Sequence, residues 1–449
     1  MPKIGLISLG CAKNLVDSEH MLALLRDAGW EITEDMAEAD VGVVNTCGFI
    51  EAAKSEAIET ILETAQYKQT GNMKGLVVTG CLVQRYAEEI KKDLPEVDVL
   101  CGTGSYENIA EAAAAALGGQ RAAYMNDIAA AALEGVRDRL TPSYTAFFKI
   151  AEGCSNNCGY CIIPKLRGPY RSRQLDALTE EAQALAEAGV QELIVIAQDI
   201  SKYGMDLPGH KRLLPELLRR LCKMDFRWIR LHYLYPDQIT DELIGVIASE
   251  EKIVKYLDIP LQHVSKRILR AMHRPGDGAA FQALIEVLRG RLPGLVLRTS
   301  LIVGLPGETE QEFTELCEFL QQVRIERVGV FEFSPEEGTE AAELPDQIDE
   351  ETKQNRRLII EELQSGVLDD YNIGRHRTVM EVLCEGFDDE QQLYIGRTYA
   401  DSVEVDGHVY FESKQPVQAG EFVPVLITDS FGPDLLGVRE EEADHDDSK

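Results

Sequence analysis

Nowhere in the 449 residues do about eighteen apolar side chains follow one another, so no segment is suited to cross a bilayer as a helix. The opening stretch, "MPKIGLISLG", lacks the charged start and long apolar run of a secretory signal and reads directly as a buried strand. Both absences point to a cytosolic protein. Basic residues are also scarce: 45 Lys and Arg stand against 77 Asp and Glu, a net charge of −32. Part of that acidity is ordinary solubility, but a deficit this large speaks against a nonspecific nucleic-acid binder and favours a basic partner. In a reducing compartment the ten cysteines serve as metal ligands or core residues rather than disulfides. The length exceeds what one ordinary core supports and predicts two or three domains.

What is present is an α/β alternation, twice over. In residues 1–118, "KIGLISLG", "DVGVVNT" and "KGLVVTG" are apolar strands. They are followed by Cys11, Cys47 and Cys81 and by helices near 14–28, 51–69 and 84–94; a fourth strand ends at Cys101. This alternation makes an N-terminal parallel α/β sheet domain. Residues 119–141 are Ala-rich and read as a linker. Residues 142–372 carry six strands, near "AFFKIAEG", "ELIVIAQ", "WIRLHYL", "YLDIPLQ", "LVLRTSLIVG" and "RVGVFEF", with helices between them. Six units are too few for a closed (βα)8 barrel, so a partial (βα)6 barrel is expected, its chemistry at the C-terminal strand ends. Thr309 with Glu312 fits a capping box, and a polar helix near 349–371 closes the domain. Residues 373–440 switch to short β segments and predict a small β-barrel. The tail 441–449 is an acidic run, expected to be disordered.

Cys154, Cys158 and Cys161 follow the first barrel strand in "EGCSNNCGYCIIP" with no fourth cysteine near. A ferredoxin run would supply the fourth, and structural zinc would want a closed shell of four, which His232 or His263 would have to complete. The remaining reading is a [4Fe–4S] cluster with one iron left open, as a catalytic metal requires. Cys11, Cys47 and Cys81 are far apart in sequence, yet each ends a strand. Adjacent strands lie about 5 Å apart, so the sheet edge that binds ligands would gather them, beside helix N-termini that favour thiolates. A second three-cysteine cluster follows as the expectation, against the plainer reading of three buried, metal-free thiols. Cys101 is expected to be structural, and Cys222, Cys317 and Cys384 to be core, the first of them deep in a helix.

The spacing C-x3-C-x2-C, with Tyr160 before its last cysteine, resembles the radical S-adenosylmethionine (SAM) superfamily. That resemblance implies SAM chelating the open iron and cleaving to a 5′-deoxyadenosyl radical. Its candidate contacts here are Tyr160, Ile162, Gln198, Arg298 and Gly304, the last in the turn "GLPGE". Arg167, Arg171 and Arg173 of "RGPYRSR" are candidates for a carboxylate, and Gln262 and His263 for pocket walls; each has a plain structural alternative. Over nearly the whole chain, "GCAKNLVDSE", "VNTCGFIEAAKSEAIE", "VTGCLVQRY" and "GCSNNCGYCIIPKLRGPYRSR" are similar to the methylthiotransferase family. The resemblance implies a cluster-binding N-terminal domain, a radical-SAM barrel and a C-terminal TRAM barrel. It makes Cys11, Cys47, Cys81, Cys154, Cys158 and Cys161 the ligands of two [4Fe–4S] clusters.

Within the family the sequence resembles the branch that methylthiolates the β-carbon of an aspartate in ribosomal protein S12. Lys13, where the tRNA-modifying branch usually has Met, belongs to that likeness. A reductant such as flavodoxin or ferredoxin is implied as a partner. The C-terminal barrel adds an independent sign: residues 374–438 hold Arg375, Arg377, Arg397 and Lys414 against twelve Asp or Glu. Gripping tRNA needs phosphate neutralisation, so this balance makes tRNA an unlikely partner and suits a basic protein. Two alternatives stay open: a tRNA methylthiotransferase acting on a modified adenosine, and a non-catalytic two-cluster electron carrier.

Overall fold

In the computed structural model, which describes residues 1–403 and 405–442, the N-terminal strands form one parallel six-stranded sheet. They are β1 (Lys3–Ser8), β2 (Glu31–Ile32), β3 (Val41–Thr46), β4 (Gly75–Gly80), β5 (Val99–Cys101) and β6 (Ala122–Tyr124), in the order β2-β1-β3-β4-β5-β6. The pairing Ser8↔Asn45 and Thr46↔Gly80 brings the C-terminal ends of β1, β3 and β4 level. Val41, Val43, Val44, Leu76, Val77 and Val78 are fully buried, as strands covered by helices on both faces require.

Two of these strands correct the reading of the sequence. The edge strand β2 is only two residues long, and β6 lies inside the segment expected to be a linker, paired in register with β5. An Ala-rich triplet carries almost no strand signal; its place is decided by the neighbouring strand. The rest of 119–141 is tied down by charge as well. Arg137 pairs with Glu19 at 2.7 Å and Glu181 at 2.9 Å, and Glu134 pairs with Arg173 at 2.6 Å.

The second sheet contains β7 (Thr145–Lys149), β10 (Glu192–Ile196), β11 (Trp228–Leu231), β12 (Ile253–Asp258), β13 (Val296–Val303) and β14 (Arg327–Glu332). All pairs are parallel, in the order β14-β13-β12-β11-β10-β7, and the two edge strands are not joined, so the barrel is open. Two short strands, β8 (Ala151–Glu152) and β9 (Arg171–Ser172), clip the ends of the first βα loop together. The helix Glu310–Val323 begins with the full Thr309–Glu312 capping box. The helix Glu350–Ile373 leads into a closed barrel of β15 (Val379–Asp388), β16 (Leu393–Arg397), β17 (Val409–Glu412), β18 (Phe422–Phe431) and β19 (Asp434–Arg439). From residue 443 on, the acidic tail lies outside the described residues. Among the described residues no helix is long and apolar enough to cross a membrane.

The C-terminal barrel is seated on the central one by a buried ion cluster. Glu192, fully buried on β10, accepts from Arg230 at 2.8 Å and from Arg397 at 2.7 Å. Burial alone would raise the Glu192 carboxyl; Arg397 and Arg230 overcome it and hold the group down to about 2. The sign follows: a carboxylate depressed below its ordinary value of 4.5 adds stability that is fully present above that value. The contribution is lost as pH falls from there toward about 2. Glu192→Gln leaves the buried Arg230 without its counter-charge and Arg397 with Glu385 alone, at 2.8 Å, and is expected to cost about 3–5 kcal/mol at neutral pH. The check is the denaturant midpoint, and the variant's deficit should shrink on acidification.

Candidate metal centres

The N-terminal cradle is built by the three strand ends. Cys11 is the residue before the helix Ala12–Asp27, Cys47 follows β3, and Cys81 opens the helix Cys81–Asp93, three residues earlier than its sequence suggested. The loops touch. Gly10 has φ +86°, and a Cβ there would lie 2.7 Å from Cys47 Cβ; a Cβ on Gly48 would lie 3.1 Å from the Cys81 carbonyl carbon. Burial pushes the Cys47 thiol up, and pushes that of Cys81 up to about 12. The Cys11 charge adds to the rise at both, and the Cys47 charge to that at Cys81, so all three sulfurs are in electrostatic reach of one another.

The second triad lies in the loop between β8 and the short helix Ile163–Arg167. The loop is pinned at intervals: Cys154 N–H donates to Gly168 O at 3.1 Å, Gly159 N–H to Met272 O at 3.1 Å, and Cys161 N–H to Cys158 O at 3.0 Å. Burial raises the Cys154 thiol and pushes Cys161 up to about 12, with the Cys158 charge adding to both. Tyr235 Oη stands 3.7 Å from Cys158 Sγ, and Arg274 stacks on that tyrosine at 4.3 Å. Neither residue carries any signal in the sequence, since each comes from a distant strand end or loop.

All six cysteines are free. Among the described residues no three His, Cys, Asp or Glu side chains close on a single ion. His232 Nε2 is taken by Ser402 Oγ at 2.9 Å, and His263 is buried with its Nδ1 accepting from Ser265 N–H at 3.0 Å. Three free thiols in each triad are the soft donors that iron–sulfur clusters take. Each triad fits a [4Fe–4S] cluster that leaves one iron without a protein ligand.

The other candidates divide. Tyr160 packs with Met272, Leu305 and Phe333, which joins the cysteine loop to the turn after β13. Gly304 in that turn has φ +74° and lies against Lys353, where a Cβ would sit 2.3 Å from Cγ. Its N–H and that of Leu305 donate to Glu308. His263 stands 3.5 Å from the same carboxylate, so it braces the turn; Gln262, at φ 71°, bridges to Leu301. Gln198 donates to Glu152 at 3.3 Å and keeps its Oε1 buried, without a partner among the described residues.

Arg298 is spent on Asp258 at 3.2 Å, and Ile162 packs on Cys81. Arg171 donates to the carbonyls of Ala129 and Ala131, and Arg173 is paired with Glu134 and Glu181. Arg298 and Arg173 thus face carboxylates of the chain, whereas Arg171 meets only carbonyls. Cys101 donates to Ser105 O at 3.0 Å and is structural. Cys317 and Cys384 sit against the cores of their domains. Cys222 does too, but it follows the helix Leu214–Leu221 instead of lying inside it.

An open parallel barrel with C-x3-C-x2-C after its first strand defines a radical SAM protein. The Radical SAM superfamily matches residues 148–320, the Uncharacterized protein family UPF0004 residues 3–102 and the TRAM domain residues 359–439. The fold is shared with the radical SAM methyltransferase TsrM of Kitasatospora setae, TM-score 0.56 at 14% identity over 76% of this chain and 77% of that one. The ribosomal protein uS12 methylthiotransferase RimO of Lachnoclostridium phytofermentans is 49% identical over 98% of this chain and 100% of its own length. That of Clostridioides difficile is 49% identical over 97% and 98%. The chain belongs to this family of ribosomal protein uS12 methylthiotransferases.

Proposed function

We propose that the chain methylthiolates an aspartate β-carbon of ribosomal protein uS12 with two [4Fe–4S] clusters, one held by Cys11, Cys47 and Cys81 and the other by Cys154, Cys158 and Cys161. It is a radical SAM transferase by its family and fold. The observation that supports the two-cluster reading is the contact of Cys81 with Ile162 and Leu166, which follow Cys161 in the chain. When bound, the clusters and SAM supply a methylated sulfur and a hydrogen-abstracting radical.

The residues of the chain hold and shield these groups. Tyr160, Tyr235 and Arg274 wall the barrel triad, and Gly304 with Leu305 presents backbone at the mouth. Gln198 has an unused acceptor for a SAM polar group. Lys13, buried, lies over the Tyr233 ring at 3.1 Å and closes the gap between cradle and barrel. The barrel mouth, not the acidic C-terminal barrel, carries the chemistry; the latter offers a docking face for a basic protein. The reductant we assign is a small low-potential carrier such as flavodoxin or ferredoxin, and the compartment the cytoplasm.

Incubating the reconstituted protein anaerobically with SAM and reductant, in parallel with uS12 in small ribosomal subunits and with tRNA, tests the assignment. Mass spectrometry should find a methylthio group on one aspartate of uS12 and none on tRNA; the reverse pattern overturns it. The exposed residues Asp389, Glu390 and Asp429 give a further prediction. Reversing all three to lysine should raise the KM for uS12 by roughly tenfold at low salt, and less at high salt, with kcat nearly unchanged.

A further inference from the structure

The helix Ile163–Arg167 continues directly from the barrel cysteines and meets the N-terminal domain through Leu166, whose carbonyl accepts from Thr103 Oγ1 at 2.6 Å, and through Arg167. Arg167, 3% exposed, donates from Nη2 to Asn14 Oδ1 at 2.8 Å and from Nη1 to Asp17 at 2.5 Å and to Glu152 at 3.4 Å. Asn14, 1% exposed, spends both amide hydrogens on strand ends: one on Leu9 O at 2.7 Å, two residues before Cys11, the other on Thr46 O at 3.2 Å, one residue before Cys47. Asn45 Nδ2 closes the set by donating to the Asn14 carbonyl at 3.0 Å. A carboxamide has two donors and one acceptor oxygen, and here every group is used. One side chain therefore touches two ligand-bearing strand ends of one triad and the helix that follows the other triad.

We propose that Asn14 and Arg167 are positioning residues, a clamp that sets the separation and orientation of the two cysteine triads and so couples radical formation at one to group transfer at the other. The proposal rests on the two-cluster reading. Its physical basis is the cost of misplacement: a shift of about 1 Å between reacting groups can lower a rate roughly a hundredfold. The guanidinium suits the task because its planar fork serves Asp17, Glu152 and Asn14 together, which a lysine ammonium cannot reproduce. A merely structural bond at a domain interface would stabilise the chain without governing the distance between clusters.

The test uses holoenzyme carrying both clusters, reduced and frozen, with pulsed dipolar EPR between them, alongside the ratio of 5′-deoxyadenosine to methylthiolated uS12. Asn14→Ala keeps the Arg167 ion pairs and is the decisive variant; Arg167→Lys is the second. Full iron content, a broadened inter-cluster distance distribution and a ratio raised by about tenfold or more are expected for Asn14→Ala. An unchanged distribution and ratio in that variant overturns the clamp, as does loss of the N-terminal iron, which would make Asn14 a support for ligands only. Wild-type protein with no dipolar coupling overturns the two-cluster reading itself, a result distinct from either.

Discussion

Cys154→Ala is expected to abolish formation of 5′-deoxyadenosine, by at least about a thousandfold, or roughly 4 kcal/mol of barrier. The triad has no reserve. Cys154 is buried at the end of β8, its backbone tied to Gly168, and the side chains that wall the site are tyrosines and an arginine. None of them replaces a thiolate on iron. Removing one of three ligands also removes the geometry that leaves a single iron open to a small molecule. The fold should survive, since the change deletes one sulfur and leaves the β8–β9 clip and the backbone bonds around it. The assay is anaerobic reconstitution with SAM and dithionite followed by chromatography of the nucleoside products. Wild-type levels from the variant would remove the barrel triad from the chemistry.

Cys47→Ala should do something different in kind. SAM cleavage should continue, within about threefold of wild type, while methylthiolated uS12 falls by a hundredfold or more. Cys47 ends β3 in a separate sheet and touches Gly10, whereas every backbone bond that pins the barrel loop comes from the barrel itself. Two ligands left in the cradle cannot hold a cluster ready for sulfur, but the radical half of the site keeps its whole shell. Radical formation should therefore run uncoupled from transfer. Both products are read in the same reaction, which makes the split insensitive to the fraction of active enzyme. Full transfer by the variant would leave the N-terminal cysteines without a role in the reaction.

These two outcomes separate because the sites are built by different local codes, and both codes were legible. Apolar runs such as "VGVVNT" and "GLVVTG", each followed by Cys and then a helical period, place Cys47 and Cys81 at one sheet edge whatever the rest of the chain does. The barrel triad is legible from spacing alone. What stayed hidden depends on pairs distant in sequence. Arg167 sits in a motif that suggests a ligand for a carboxylate, yet its partners, Asn14, Asp17 and Glu152, belong to a helix and a strand that no local pattern connects to it. Arg298 is likewise taken by Asp258 on the neighbouring strand. Strand β6 was missed because Ala122 and Ala123 are strand residues only through β5 beside them. The partner of His232 is Ser402, in a loop of the C-terminal barrel, and long-range docking of that kind leaves no periodicity to read.

The pH and ionic behaviour follow the same division. The Glu192 cluster governs how firmly the C-terminal barrel is held, and acid releases it. The exposed acidic residues of that barrel are expected to steer a basic substrate, an effect that salt should weaken. Neither should alter SAM cleavage, which belongs to the barrel mouth.

The central claim is that one chain holds two independent three-cysteine clusters. Its most direct measurement is iron content with Mössbauer spectroscopy on wild type and on the variant with Cys11, Cys47 and Cys81 all changed to alanine. About eight irons per wild-type chain, in two [4Fe–4S] clusters, and about four in the triple variant are expected. The variant should still cleave SAM. Wild-type protein that saturates at about four irons, or a triple variant with undiminished iron, would contradict it.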